Sequence, residues 1–249
     1  MRLVPAGDFA MGCTVGRDDS CHQHERPLHQ VFLDAYAIDE TEVTVAAFER
    51  CVQGRGCSSE GLARQDDLGG EQVECNARQP GRDDHPINCV TWEQARAFCA
   101  WAGKRLPSEA EWEKAARGTD GRIYPWGNEE VNAARVVILQ LRASAPGSTP
   151  ANTTAPVATK PDGRSPYGAY DMVGNVWEWT ADRYDPGYYA RSPRQNPPGS
   201  SSGATRVIRG DVDPARMRVT QRSHLAPGTR MGVLGFRCAR DIDELPPNR

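Results

Sequence analysis

Two stretches of the chain carry apolar residues three and four positions apart, the spacing of a helix with one buried face. One begins at Thr91, which forms a capping-box signature with Gln94, and the other begins at the similar pair Ser108 and Glu111. A shorter segment follows Thr44, a residue type that caps helices. These patterns predict helices over residues 45–52, 92–102 and 109–117.

Short runs of alternating apolar and polar residues predict strands around these helices. Residues 1–12 alternate around Pro5 and Gly7 and indicate an edge strand, a turn and a second strand. Trp177 and Trp179 fall on one face of a later strand, while Val176 and Glu178 fall on the other. The predicted strands lie within residues 1–12, 30–38, 176–180, 206–209 and 235–239.

Two main helices among many short strands and long loops predict an α+β fold in one domain. We place that domain at residues 1–242 and expect the polar tail, 243–249, to fray. The 24 glycines and 19 prolines are spread along the chain together with the aromatic residues. This distribution favours a loop-rich fold over disorder.

Charge and hydropathy argue against two classes of partner. The net charge is −3 and no block of five like charges occurs, so we expect no nucleic-acid partner, since binding the phosphate backbone needs a basic face. No apolar run approaches the length of about 18 residues that a membrane-spanning helix needs.

The chain contains eight cysteines, and no two of them form a CxxC pair. Zinc-knuckle and thioredoxin-like sites are therefore not expected. The short separations of Cys13 from Cys21 and of Cys51 from Cys57 suit disulfides that close loops, and we expect four disulfides. The alternative is a reduced cytosolic protein with buried thiols. The disulfide interpretation predicts an extracellular or periplasmic protein whose leader is absent from this chain.

Two stretches suggest metal ligands. His22 and His24 are able to bind a metal from one side of a strand, with Glu25 or His29 nearby. The alternative, which we favour, is that they form a polar approach to the strand at 30–38, because no helical zinc spacing is present. In the second stretch, Glu178 lies on an aromatic strand, where a buried carboxylate is costly unless it is paired or binds a cation.

Several motifs occur in one order along the chain. They include Glu42-Val-Thr, Trp101-Ala-Gly-Lys-Arg-Leu-Pro-Ser-Glu-Ala-Glu-Trp-Glu113, Tyr124-Pro-Trp-Gly-Asn128, Gly174-Asn-Val-Trp-Glu-Trp179, Arg206-Val-Ile-Arg-Gly210 and Gly235-Phe-Arg-Cys238. Together they resemble the formylglycine-generating enzyme (sulfatase-modifying factor) family over about residues 2–240. The resemblance implies a single C-type lectin-like domain with little regular secondary structure.

The resemblance also implies oxidation of a sulfatase cysteine with molecular oxygen and a copper ion held by two cysteines. Cu(I) is a soft ion that selects thiolates. Between Arg209-Gly210 and Gly235-Phe-Arg-Cys238, however, the chain has no cysteine, and the second copper cysteine aligns at or near Pro214. We therefore expect neither copper nor the oxidase activity, and assign no catalytic residue.

Other family features transfer to residues that are present. The resemblance implies a disulfide between Cys99 and Cys238, and order and proximity then suggest local pairs for the remaining cysteines. These local pairs are Cys13–Cys21, Cys51–Cys57 and Cys75–Cys89.

The resemblance implies structural calcium as well. The matching ligands are the carboxylates of Asp171 and Glu178 and the carbonyls of Gly174 and Val176, and oxygen-only ligation suits Ca²⁺. The alternative is that Asp171 caps the turn and Glu178 makes a buried ion pair. A second family site would begin at Asn132 and Ala133, but the loop near 145–155 that should supply its acidic partner has no Asp or Glu.

The segment 211–234 lacks the two copper-binding cysteines of the family. We predict that it forms a recognition surface for a protein, peptide or glycan. Its candidate ligand-binding residues are Asp211, Asp213, Arg216, Arg218, Arg222, His224 and Arg230. One alternative is an oxidase that uses other metal ligands, including a formylglycine-generating enzyme. Two others are a variable protein of a diversity-generating retroelement and an accessory domain beside a kinase, protease or lipoprotein.

Overall fold

The computed structural model describes residues 1–13, 20–62, 66–68, 71–138 and 154–242, so the predicted tail lies outside the described residues. The three predicted helices are present. Thr44 accepts a hydrogen bond from the amide of Ala47, and both predicted capping boxes form at the other two helix starts. The helices are α1 (Val45–Gln53), α2 (Trp92–Trp101) and α3 (Glu109–Arg117).

Eleven short strands form four small sheets in the described part of the chain. They are β1 (Arg2–Val4), β2 (Gly7–Met11), β3 (His29–Leu33), β4 (Tyr36–Ile38), β5 (Asp66–Leu68), β6 (Glu71–Val73), β7 (Trp177–Arg183), β8 (Arg206–Arg209), β9 (Arg222–Leu225), β10 (Leu234–Gly235) and β11 (Ala239–Asp241). The sheet orders are β1-β4-β11, β10-β7-β8-β9, β2-β3 and β5-β6. The predicted α+β class is confirmed.

Three strand predictions need correction. The strand predicted at 30–38 divides, because β3 pairs with β2 while β4 pairs with β1. The closing strand at 235–239 divides as well: β10 runs parallel to β7, and β11 pairs with β4. β9, a polar strand that borders β8, was not among the predicted strands. These three corrections concern partners distant in sequence, which periodicity does not reveal. β5 and β6, which pair with each other, were not among the predicted strands either.

Two hydrophobic clusters hold these elements together. In the first, α1 and α2 pack on the four-stranded sheet, and the ring of Phe98 lies 5.5 Å from the rings of Phe48 and Phe236. In the second, α3 packs on β2 and β3 through the small residues and Trp112 of its apolar stripe. Buried aromatic groups of this size contribute much of the stability of a core.

All eight cysteines form disulfides, in the pairs that the sequence analysis predicts. The bond from Cys99 to Cys238 joins α2 to the residue before β11 across 139 positions. A disulfide that closes a loop of this length stabilises a fold by about 4–5 kcal/mol in the chain-entropy model. Within the described residues, no helix combines the length and the apolar character needed to cross a membrane.

Candidate functional site

The stretch 171–180 lies against a group of buried charges that we call the carboxylate pocket: Glu42, Asp171, Glu178 and Arg237. Glu178 is fully buried on β7, and its two oxygens accept hydrogen bonds from Arg237 Nη2 and Nε at 2.7 and 2.8 Å. Trp112 Nε1 donates to Glu178 Oε2 at 2.9 Å. Glu178 is thus ion-paired, as the alternative for this residue anticipates, which leaves it room for few further contacts.

Asp171 precedes the tight turn that leads into β7. Its Oδ2 accepts a hydrogen bond from the amide of Ala158 at 2.8 Å, and its backbone carbonyl accepts one from Arg237 at 3.3 Å. Burial raises the pKa of the Asp171 carboxyl. At Gly174 in this turn, φ is +78°, and an added Cβ would lie 2.6 Å from the carbonyl oxygen of Val137. Glycine is therefore required for the close approach.

Glu42 is the residue of the pocket that the sequence analysis overlooked. It is 1% exposed, and Asn175 Nδ2 donates to its Oε2 at 2.9 Å, while its buried Oε1 has no hydrogen-bond partner. Burial, followed by the negative charges of Asp171 and Glu178, raises the pKa of Glu42 well above its ordinary value. The available signal was the acidic first position of the Glu42-Val-Thr motif.

The composition of the carboxylate pocket fits a calcium ion. Three buried carboxylates face the single guanidinium of Arg237, so the ionised pocket carries excess negative charge and one unpartnered oxygen. Oxygen donors of this kind are the ligands Ca²⁺ prefers. The carboxylate oxygens of the three residues do not all lie within 4.8 Å of one another. Ligation would therefore include backbone carbonyls, and the sequence analysis names those of Gly174 and Val176.

The second predicted calcium site has fewer suitable donors. Asn132 is exposed, and its side-chain oxygen accepts a hydrogen bond from the amide of Ala134 within its own turn. The carbonyl of Ala133 accepts one from Lys160 Nζ at 2.6 Å, which places a positive charge where a cation would bind. The loop predicted to supply the acidic partner lies, through residue 153, outside the described residues.

Segment 211–234 is a surface in part only. Arg218 is 4% exposed and pairs with both oxygens of Glu25 at 2.8 and 2.9 Å. Arg222 is 1% exposed and pairs with both oxygens of Glu109 at 2.7 and 2.6 Å. The prediction that these two arginines bind a ligand is therefore corrected, because both are interior groups whose charges are already matched.

Arg222 belongs to a larger buried cluster, the arginine network, formed by Arg117, Arg209 and Arg222 with Glu109 and Glu113. Arg209 bridges the two glutamates at 2.8 Å each, and Arg117 lies 3.2 Å from Glu113. Although burial raises the pKa of Glu109, the charges of Arg222 and Arg209 hold it below its ordinary value. Glu109 is thus held in its charged form, and the ion pairs of the cluster fix α3 against β8 and β9.

The other candidate residues of the segment divide between support and surface. Asp211 is buried and accepts a hydrogen bond from the amide of Asp213, and burial raises its pKa to about 6. Arg230 holds its loop by donating to the carbonyl of Cys89 and to Gln94. Arg216 and His224 are exposed, and Asp213 is partly so. These three and the partly exposed Arg230 retain a position on the surface.

His22, Gln23, His24, Pro186 and Gly187 line an open cleft. We use the name histidine cleft for these residues together with Tyr184, which contacts His24, and His224, which stacks on Tyr184. The cleft encloses about 610 Å³ between His22–His24 and Pro186–Gly187. His24 Nδ1 lies 2.7 Å from the hydroxyl of Tyr184, whose ring stacks on His224 with centroids 3.9 Å apart. Three chain segments therefore meet at one exposed, aromatic and imidazole-rich surface.

The predicted partners of His22 and His24 do not join them. Glu25 turns inward to Arg218, and His29 Nδ1 lies 3.0 Å from the carbonyl of Pro27. His24 instead meets Tyr184, 160 positions later. Nothing local in the sequence marks this long-range pairing.

Comparison with known proteins gives consistent results over nearly the whole chain. A family model described as the sulfatase-modifying factor enzyme 1-like domain matches residues 1–242. The formylglycine-generating enzyme of Streptomyces coelicolor is 37% identical over 96% of this chain and 88% of its own length. The structure of PvdO from Pseudomonas aeruginosa aligns with a TM-score of 0.78 and 28% identity over 96% of this chain and 93% of that one. Treponema denticola variable protein 1 aligns with a TM-score of 0.71 and 26% identity over 96% and 94%.

Proposed function

The chain belongs to the family of sulfatase-modifying factor enzyme 1-like domains and has its C-type lectin-like fold, and from that premise we propose that it is a non-catalytic binding domain on a calcium-stabilised scaffold. The observation that carries the proposal is the state of the cysteines: every one of the eight is in a disulfide. A thiolate is the nucleophile and the soft metal ligand of cysteine chemistry, and a disulfide sulfur is neither.

The position of the absent thiolates supports the same conclusion. The segment that follows Arg209-Gly210 contributes the buried side chains of Val212 and Met217 to the core. Asp211, the buried carboxylate here, bonds to the neighbouring amide of Asp213. A single carboxylate among apolar groups is a poor site for Cu(I), which selects sulfur ligands. Oxidase chemistry of the family type thus has no metal-binding thiolates in this chain.

The histidine cleft is the surface on which we place recognition. Its residues come from loops and from β9, and the arginine network beneath holds those elements in fixed positions through Arg222. Exposed groups on loops that a rigid scaffold supports are a common arrangement for binding. Tyr184 and His224 provide aromatic contact area and hydrogen-bonding groups. Such groups suit the binding of a peptide segment or a glycan of a partner protein.

Calcium belongs to the scaffold in this proposal rather than to recognition. The carboxylate pocket lies at the start of β7, in the interior, and its excess negative charge supports a bound cation. An ion at this position would fix the turn at 171–176 and so the strand that pairs with β8 and β10.

A hypervariable recognition segment is not favoured by these contacts. Arg218, Val219, Thr220, Gln221 and Arg222 are all buried, and the two arginines make paired contacts with distant glutamates. Substitution along this stretch would break the interior. Diversity would have to be confined to the exposed positions on either side.

Two measurements test the proposal. Incubated with a Cys-X-Pro-X-Arg peptide, copper and oxygen, the non-reduced protein should give no aldehyde product by mass spectrometry, and a robust aldehyde signal would overturn the non-catalytic assignment.

The recognition surface is tested on peptide and glycan arrays. The wild-type protein should bind ligands on these arrays, and His224→Ala should weaken that binding. The matched control is Leu3→Ala, which truncates a side chain that is 60% exposed on β1. Equal binding by wild type and His224→Ala would overturn the assignment to the histidine cleft.

A further inference from the structure

The side chains of His22 and His24 meet over a single short turn. The backbone amide of Glu25 donates to the carbonyl of His22 at 3.1 Å, which closes the turn and brings the two imidazoles to the same side. Their ring centroids are 5.6 Å apart, and the ring planes are nearly perpendicular at 85°. We propose that these two imidazoles form a binding site for a borderline divalent transition metal such as zinc, which goes beyond the recognition function and does not depend on it.

The separation of the rings suits shared ligation. Metal–nitrogen bonds to histidine are about 2.0–2.1 Å long. Two imidazoles on one tetrahedral ion therefore have ring centres about 5 Å apart. The observed separation of 5.6 Å lies close to that value. His22 is exposed and His24 partly so, and both line the histidine cleft, which gives an ion a path from solvent.

Tyr184 prepares His24 for this role. His24 Nδ1 lies 2.7 Å from the Tyr184 hydroxyl, so Nδ1 is engaged and Nε2 is left for a metal. Metal-binding histidines commonly donate their other ring N–H to an oxygen, which fixes both the tautomer and the ring orientation.

The surrounding contacts hold the turn without competing for the ion. The carbonyl of Glu25 accepts a hydrogen bond from the amide of Cys13, and its carboxylate is paired with Arg218. The nearby positive charge of Arg222 is matched by both oxygens of Glu109. The two histidines are thus presented from a fixed backbone, and this preorganisation reduces the entropic cost of binding. Water or a ligand group in the cleft would complete the coordination.

Calorimetric titration of the full, non-reduced and chelator-treated chain with zinc tests the site. We expect one equivalent to bind, and His22→Ala and His24→Ala each to weaken binding at least tenfold. Tyr184→Phe should weaken it by about tenfold, the lower end for an outer partner of a ligating histidine. His29→Gln should leave it unchanged, because that imidazole bonds to its own turn. Nitrogen NMR of the imidazoles should show the zinc-dependent shift at Nε2 of His24.

Several outcomes would overturn the site. One is zinc binding that survives in the double variant His22→Ala/His24→Ala, and another is an equal loss in His29→Gln. A third is binding seen only after reduction, since Cys13, Cys21 and Glu25 place their ligand atoms within 4.8 Å of one another and reduced thiols there would take the metal. If the wild-type protein binds no zinc but still binds on the peptide and glycan arrays, the metal site is contradicted and the recognition proposal is not. The two proposals can therefore fail separately.

Discussion

The arginine network and the carboxylate pocket are both buried clusters of charge, and they differ in the number of guanidinium groups available to each carboxylate. In the arginine network, Glu109 and Glu113 face three guanidinium groups. In the carboxylate pocket, three carboxylates face the guanidinium of Arg237 alone. The same residue types at the same depth thus form one cluster whose negative charges are all matched and one with negative charge to spare.

The difference appears in the pKa values of two glutamates, which shift in opposite directions: the pKa of Glu109 is lowered and that of Glu42 is raised. Burial raises the pKa of both Glu109 and Glu42, but Arg222 and Arg209 reverse the effect at Glu109. At Glu42 the neighbouring charges of Asp171 and Glu178 add to burial, and Arg237 offsets them only in part. A buried cluster whose carboxylates are all paired with guanidinium groups needs no further cation, whereas a cluster with unpaired carboxylate charge must take up protons or bind a cation. The comparison therefore separates a structural ion-pair cluster from a candidate metal site.

The largest expected effect comes from breaking the arginine network at Arg209. Arg209→Met would leave Glu109 and Glu113 without their shared partner, and loss of one member of a buried pair costs about 3–5 kcal/mol. Denaturant unfolding should show this loss equally with and without calcium, because no cation site lies in this cluster. Arg96→Met, an exposed position on α2, is the control and should change the free energy of unfolding by less than about 0.5 kcal/mol. A loss that calcium restores would erase the distinction between the two clusters.

A smaller effect is expected when calcium is removed from the carboxylate pocket. An ion present at about 100 times its dissociation constant stabilises the folded state by about 2.7 kcal/mol, and EGTA should lower the unfolding midpoint accordingly. Asp171→Asn should weaken this response, because it removes one charged oxygen ligand. The substitution Asp213→Asn, at a partly exposed position outside the pocket, should not alter it. Metal analysis without calcium, together with melting that ignores EGTA, would contradict the calcium assignment.

Local signals in the sequence were sufficient for the parts of the fold that depend on neighbours along the chain. The capping pairs at Thr91 and Ser108 act within three residues, and the structure confirms both. The pairing of Cys99 with Cys238 spans 139 positions, and it came from the family resemblance rather than from spacing.

The candidate sites depended on contacts that no local pattern records. Arg218 reaches Glu25 across 193 positions, so its burial had no signature in segment 211–234. Glu42 faces Asn175 across 133 positions, and this explains why the carboxylate pocket lacked it in the sequence analysis. A charged residue in a loop-like segment is expected to be exposed, because its burial depends on a partner that is distant in the sequence.

The smallest expected effect is on the pH dependence of stability in the absence of calcium. Because the pKa of Glu42 is raised in the folded state, the folded protein retains a proton that the unfolded chain releases above pH 4.5. Stability from this group is therefore present at low pH and is lost as pH rises toward the folded pKa, by at most about 1.4 kcal/mol per pH unit. Glu42→Gln keeps an acceptor for Asn175 and should flatten the slope by up to that amount, as measured by denaturant unfolding at several pH values.

The effect of calcium on the pH dependence of stability tests whether the ion binds at the carboxylate pocket. A bound cation favours the ionised carboxylates, so calcium should also flatten the wild-type slope and have little further effect in Glu42→Gln. Asp182 is the matched control: its pKa is raised to about 7, first by burial and then by the charge of Glu109, and its Oδ2 accepts from the amide of Glu109. Asp182→Asn should remove the contribution of Asp182 to the pH dependence of the free energy of unfolding. Calcium should still flatten the remaining slope in this variant, because Glu42 is intact. If calcium acts alike on both variants, the excess charge at Glu42 is not what binds the ion.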